Sequence, residues 1–120
     1  MENKLLTDKE YEEITGAAEL QALDGLWAYS IPDNKTPENF TFNERKETFF
    51  YVLEKLLQEG RIKLAKDGIF LAGTVKEQLK LFCKHFPKNE VEMNDGTWFF
   101  YDSCPGGAVW IFPDRPPEWT

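Results

Sequence analysis

Cys104 and His85 are the residues whose chemistry would most directly suggest an enzyme, because a thiolate activated by an imidazole is a common catalytic nucleophile. Cys104 stands in the Asp-Ser-Cys-Pro-Gly-Gly run that spans 102–107, and His85 is the one histidine of the chain. No signature of a known nucleophile family surrounds Cys104, and Pro-Gly-Gly is typical of a hairpin turn. We therefore expect a structural Cys104, no catalytic residues and no enzymatic activity.

Metal and cofactor sites are also not expected from the sequence. One histidine and two cysteines, Cys83 and Cys104, do not form the closely spaced ligand pairs of a structural zinc site. The acidic stretch 90–96 lacks the terminal bidentate glutamate of a calcium loop. Neither a glycine-rich phosphate loop nor a dinucleotide-binding fingerprint is present.

The charge of the chain is unevenly distributed along the sequence. Residues 1–40 carry nine acidic and three basic side chains, residues 41–88 carry six and ten, and residues 89–120 carry six and one. The net charge of −7 therefore conceals two acidic ends around a basic middle. Such ends attract a cationic partner and speed its association. The alternative is that they serve only solubility.

The acidic ends supply the candidate partner-binding residues, together with one aromatic side chain of the C-terminal tail. Aromatic anchors within complementary charge are typical of binding hot spots. We expect Trp98 and Trp110 to be cross-strand core partners, whereas Trp119 is better placed to be exposed or to fold back onto the domain. The candidates are Asp8, Glu12, Glu13, Glu19, Glu90, Glu92, Asp95, Asp102 and Trp119.

The basic middle raises nucleic-acid binding as a lesser alternative. A helix followed by a hairpin resembles a winged DNA-binding unit, in which Arg61, Lys63 and Lys66 would contact phosphates from the wing. However, the next helix follows the hairpin, whereas a wing normally comes after the recognition helix. The pI of about 4.7 also disfavours phosphate binding. We expect a protein partner and no nucleic acid.

Three helices are predicted from their starts and from their apolar stripes. Each start is a threonine followed three residues later by a glutamate, a capping box in which both side chains satisfy free backbone amides. These pairs are Thr7 with Glu10, Thr41 with Glu44, and Thr74 with Glu77. The second helix has the stripe Phe49, Val52, Leu53, Leu56 and Leu57, and the third has Val75, Leu79, Phe82, Cys83 and Phe86.

Four strands in two hairpins complete the prediction. Residues 61–65 and 69–71 flank the turn Lys66-Asp67-Gly68, and residues 97–101, which are apolar on both faces, are expected to pair with 108–112. The stretch 26–29 stays unassigned. We predict an α+β fold, a single domain over 1–120 with about three helices on an antiparallel sheet of about four strands. The proline-rich tail 113–120 is expected not to continue the sheet.

The expected compartment follows from the cysteines and from the apolar segments. Two cysteines on different predicted elements support no disulfide framework. The N-terminus shows no signal peptide, and no apolar run approaches the length of a membrane span. We expect a cytoplasmic protein without a membrane partner.

Several motifs carry a resemblance to a known family. They include Leu26-Trp27-Ala28-Tyr29, the stretches 42–50 and 56–65, Phe86-Pro87, and Cys104-Pro105 followed by Ala108-Val109-Trp110. On these motifs the chain resembles, over about residues 7–119, the bacterial family catalogued as domain of unknown function 596. The resemblance implies no enzymatic activity and transfers no binding residue. Its members resemble proteins encoded beside polymorphic toxin genes, including contact-dependent inhibition systems.

The resemblance therefore implies a cytoplasmic, non-enzymatic immunity protein that binds and neutralises a cognate toxin domain. Many such toxins are basic nucleases, and an acidic inhibitor can occupy their phosphate-binding cleft. The alternative is an accessory protein-binding module with another partner. The identity of the toxin and the oligomeric state stay open at this point.

Overall fold

The computed structural model describes residues 7–31, 40–94 and 96–120. The α-helices are α1 (Asp8–Ala18), α2 (Leu23–Ala28), α3 (Phe42–Gln58), α4 (Val75–His85) and α5 (Glu90–Met93). A 3-10 helix spans Thr97–Phe100, and the strands are β1 (Ile62–Lys66), β2 (Ile69–Phe70), β3 (Gly107–Phe112) and β4 (Arg115–Trp119). Helices packed on one four-stranded antiparallel sheet confirm the predicted α+β class, although the described residues form five α-helices rather than three.

All three predicted capping boxes are present, at the starts of α1, α3 and α4. In α1 the amide of Glu10 donates to the Thr7 hydroxyl at 3.1 Å, and the amide of Thr7 donates to the Glu10 carboxylate at 2.9 Å. The other two boxes repeat both bonds. These starts were predictable because each depends on residues only three positions apart.

The sheet has the strand order β2-β1-β3-β4. The predicted hairpin of β1 and β2 is confirmed, with Lys66 paired to Ile69 around Asp67 and Gly68. Both turn residues have positive φ, 53° and 80°, as a two-residue turn that matches the twist of the strands requires. The turn therefore sets the register of this hairpin.

The expected strand over 97–101 is wrong, because residues 97–100 form the 3-10 helix. The amide of Phe99 donates to the Gly96 carbonyl at 3.2 Å, and that of Tyr101 donates to the Trp98 carbonyl at 3.0 Å. Trp98 and Phe99 are buried in the core, whereas Phe100 is 67% exposed. A short apolar run fits a buried strand or a tight helix equally well, so periodicity did not distinguish them.

The expectation that the tail cannot continue the sheet is also wrong. Residues 115–119 form β4, antiparallel to β3, with Arg115 paired to Phe112 and Trp119 paired to Val109. Pro116 and Pro117 are tolerated because they lie on an edge strand and at the register shift between the Phe112–Arg115 and Trp110–Glu118 pairs, where the ladder of hydrogen bonds is interrupted. The second hairpin is therefore β3–β4, and Trp98 and Trp110 are not cross-strand partners.

The helices cover one face of the sheet. Ile62 and Leu64 of β1 and Ala108 and Trp110 of β3 belong to the same buried cluster as the helical core. That core is aromatic: the Phe49 ring, fully buried, lies 5.5–5.9 Å from the rings of its neighbours Trp27, Phe86 and Phe99. The unassigned stretch 26–29 lies at the end of α2 and contributes Trp27 to this cluster.

Candidate functional site

Two of the candidate carboxylates on α1 contact basic side chains of the same molecule. Asp8 lies 3.8 Å from the Lys55 ammonium of α3, and Glu12 lies 3.2 Å from the Arg61 guanidinium that precedes β1. Glu13 and Glu19 are exposed, and neither forms an ion pair within the described part of the chain. Because all four are on the surface, the existing pairs are weak and solvent-screened.

Tyr11 explains why α1 is held with its acidic side outward. Its hydroxyl donates to the Glu59 carboxylate at 2.8 Å, and the Lys55 ammonium lies 4.3 Å from the centre of its ring. Burial raises the pKa of Tyr11 well above its ordinary value, and the neighbouring Glu59 adds to the effect. The tyrosine therefore stays neutral and anchors α1 to the end of α3.

The carboxylate of Glu90 on α5 lies near a second arginine, Arg45. Arg45 of α3 lies 3.8 Å from Glu90, donates from Nε to the Trp27 carbonyl at 3.1 Å, and stacks 4.5 Å over the Trp27 ring. The Glu92 carboxylate accepts from the Lys88 amide at 3.3 Å and remains exposed. Asp95 lies outside the described residues.

Backbone segments from the two acidic ends of the chain contact each other in the fold. The N-terminal segment packs α1 on α2, α2 contacts the 3-10 helix, and the 3-10 helix contacts α5. Gly96 lies directly against Asp24 of α2 at this contact: a Cβ atom added to Gly96 would be 3.4 Å from Cβ of Asp24. The carboxylates themselves lie in two groups along α3, because Asp8 pairs with Lys55 near its C-terminal end and Glu90 pairs with Arg45 near its N-terminal end, ten residues or about 15 Å away. We use the name helical acidic surface for the two groups together: Asp8, Glu12, Glu13, Glu19, Glu90 and Glu92.

Asp102 and Trp119 are not part of this surface. Asp102 is exposed in the segment before β3, where its backbone carbonyl accepts from the Lys66 ammonium at 2.6 Å. Trp119, half-exposed, lies on the sheet face opposite the helices, paired with Val109 and 5.1 Å from the ring of Phe70. The tail tryptophan therefore folds back onto the domain, which was the stated alternative.

Cys104 is placed as a structural residue. It is buried, and its thiol donates to the Gly106 carbonyl at 3.3 Å. Burial raises the pKa of the Cys104 thiol, which is the opposite of what activates a nucleophile. His85 is exposed at the end of α4, and the structure places no contact between it and Cys104 within the described residues.

The three cations proposed for a wing are all engaged inside the molecule. Arg61 pairs with Glu12, the Lys63 ammonium lies 5.3 Å from the Phe70 ring, and Lys66 donates to two backbone carbonyls. A wing that binds phosphates needs cations directed at the nucleic acid. This arrangement gives the winged-unit alternative no support.

Two absences concern residues 7–31, 40–94 and 96–120. Within these ranges no three or more histidine, cysteine or acidic side chains are grouped so that they would hold a metal ion. None of the described helices combines the length and apolarity that a membrane crossing requires.

A surface that the sequence analysis did not single out lies between α3 and α4. It is a groove of about 450 Å³, which we call the α3–α4 groove. The signal was present in the sequence, since each helix contributes four residues at the helical spacing i, i+3, i+4 and i+7. The lining residues are Glu47, Phe50, Tyr51 and Glu54 on α3 and Lys76, Leu79, Lys80 and Cys83 on α4.

The chain matches a known protein family. The family model DUF596, described as a protein of unknown function, matches residues 57–120. The chain belongs to this family. A DUF596 assignment agrees with the resemblance found in the sequence. No curated protein matches the chain.

A solved structure is similar to this DUF596 chain over most of its length. It is that of an uncharacterized protein conserved in bacteria, from Neisseria meningitidis, with 30% sequence identity and a TM-score of 0.76. The likeness covers 92% of the present chain and 87% of the other. The family model covers the whole sheet, α4 and α5, whereas the structural likeness, at 92% of the chain, also takes in most of the part before residue 57.

Proposed function

We propose that this protein is a cytoplasmic, non-enzymatic immunity protein, which binds and neutralises the domain of a cognate bacterial toxin. The observation that carries the proposal is that Glu13, Glu19 and Glu92 of the helical acidic surface are exposed and form no ion pair within the described ranges. The DUF596 model itself is described only as a protein of unknown function. The place beside toxin genes is what the resemblance of the sequence implies, and it is the second support for the proposal.

The uncompensated charge of this surface would determine how fast the partner arrives. Asp8, Glu12 and Glu90 are opposed by cations of the same molecule, whereas Glu13, Glu19 and Glu92 form no ion pair in the described ranges. With a net charge of −7, the protein attracts a basic domain from a distance of roughly one Debye length, about 8–10 Å at ordinary salt.

A basic nuclease is the toxin class that fits best. An enzyme that binds nucleic-acid phosphates has a cationic cleft, and carboxylates that take the place of phosphates block substrate directly. Charge pairs at such a contact mainly set the association rate and the specificity, whereas buried apolar contacts set the residence time. A nuclease bound in this way is inhibited without any chemical step.

The experiment uses the C-terminal domain of the toxin encoded beside this gene. We compare the triple variant E13Q/E19Q/E92Q with the control D67N/D114N/E118Q, which removes the same charge at exposed positions of the hairpins. We expect the first variant to associate several-fold more slowly, with a flatter salt dependence, and to protect growth less. The control keeps most of the wild-type rate.

Two results would contradict the proposal. If both variants slow association equally, net charge rather than the helical acidic surface attracts the partner. If wild-type protein neither binds the toxin domain nor rescues growth, the immunity function itself is wrong.

A further inference from the structure

The α3–α4 groove has an apolar floor between two walls of opposite charge. Phe50 and Tyr51 of α3 and Leu79 of α4 are only partly buried and form the floor. The helices are antiparallel, because Phe42 at the N-terminal end of α3 lies 6.4 Å from Phe86, which caps the C-terminal end of α4. Among the described residues, those that line the groove all belong to these two helices.

The charged walls do not neutralise each other. Glu47 and Glu54 stand on the α3 wall and Lys76 and Lys80 on the α4 wall, all exposed. None of the four forms an ion pair with another described residue. The groove keeps the two pairs apart, so each wall presents its own sign of charge to a molecule that enters.

We propose that the α3–α4 groove binds an amphipathic α-helix of a partner protein. Its apolar stripe lies on the floor, a basic flank faces Glu47 and Glu54, and an acidic flank faces Lys76 and Lys80. None of these residues belongs to the helical acidic surface. The inference is therefore independent of the immunity function.

The dimensions of the groove favour a helix over other occupants. Seven residues separate the first and last lining residues of each wall, a distance of about 10.5 Å or two helical turns. Helices bind grooves of this kind through apolar residues at i, i+3, i+4 and i+7. An anionic lipid surface would be repelled by the α3 wall. A second copy of the chain is distinguished by the test, because its binding would depend on the protein concentration.

Cys83 provides a direct readout, since it lines the groove and is exposed, whereas Cys104 is buried. The probe is a helical peptide of about 14 residues, stapled so that it is ordered when free, with a leucine stripe, a lysine flank and a glutamate flank. The control peptide keeps the leucine stripe but carries lysine on both flanks, so that it cannot match both walls in either direction. Alkylation of Cys83 by iodoacetamide is measured at increasing peptide concentration.

We expect the matched peptide to slow alkylation of Cys83 and to bind at least about fivefold more tightly than the control peptide. The variant K76E/K80E, in which both walls are acidic, should reverse this preference, and circular dichroism of the variant checks that the fold is retained.

Equal protection by both peptides, or none by either, would overturn the proposal, as would an unchanged preference in a folded variant. Protection that increases with protein concentration in the absence of peptide would identify a second copy as the occupant and would overturn it as well.

Discussion

Replacing Gly106 with alanine tests the packing that the structure assigns to the start of β3. A Cβ atom at this position would lie 2.8 Å from the Ala65 carbonyl oxygen and 3.3 Å from its carbonyl carbon. These are backbone atoms of β1, which cannot rotate away as a side chain would. Gly107, the next residue, has nothing within 4 Å of the same built atom and serves as the matched control.

The expected loss of stability follows from the backbone atoms of Ala65 that must move. Ala65 pairs with Gly107 on one side and with Phe70 on the other, so a shift of its carbonyl disturbs both neighbouring strands. Overpacking of this kind costs about 1–3 kcal/mol. For a domain of this length, that corresponds to a fall in Tm of about 4–12 °C. Gly107→Ala should be neutral or stabilise by up to about 1 kcal/mol, because it restricts the unfolded chain.

The assay is equilibrium unfolding in urea, followed by tryptophan fluorescence, on wild type and on both variants. A lower midpoint for Gly106→Ala with an unchanged slope would show a loss of stability rather than a change in the unfolded state. If the two variants unfold at the same urea concentration, the close approach of Gly106 to β1 is refuted.

Three further predictions concern the core, α1 and the thiols. Phe49→Ala should cost about 3–5 kcal/mol in urea unfolding, whereas the exposed Phe100→Ala should stay within about 0.5 kcal/mol. Tyr11 keeps its proton in the folded protein, whereas the tyrosine of the unfolded chain ionises near pH 10. The free energy of unfolding of wild type should therefore fall more steeply above pH 10 than that of Tyr11→Phe. Equal pH profiles for the two proteins would contradict this. Mass spectrometry after brief alkylation should find Cys83 modified and Cys104 protected until denaturant is added, and prompt labelling of Cys104 would show that it is not buried.

The sequence was a sound guide wherever structure depends on near neighbours. The capping boxes and the turn at Asp67 and Gly68 were predicted correctly, because a few adjacent residues satisfy the backbone groups concerned. Membership of DUF596 was also recognisable from short motifs. The positions of Cys104 in the core and of the acids on the helices agree with their residue types.

Tertiary packing determined which segment of the chain pairs with β3. The sequence predicted that residues 97–101 pair with 108–112 and that the tail stays outside the sheet, but the tail pairs with β3 while Trp98 and Phe99 enter the aromatic core. The choice depends on packing against residues far away in sequence, which no local pattern contains.

For the charges, too, some properties follow from the sequence and others only from the fold. The count of acidic side chains and their concentration at the two ends are properties of the sequence alone. Which of them meet a cation was decided by the fold, because Lys55 and Arg61 reach α1 only once α3 and β1 are packed beside it. Electrostatic pairing falls off steeply with distance, and the distances between remote residues are set by tertiary packing.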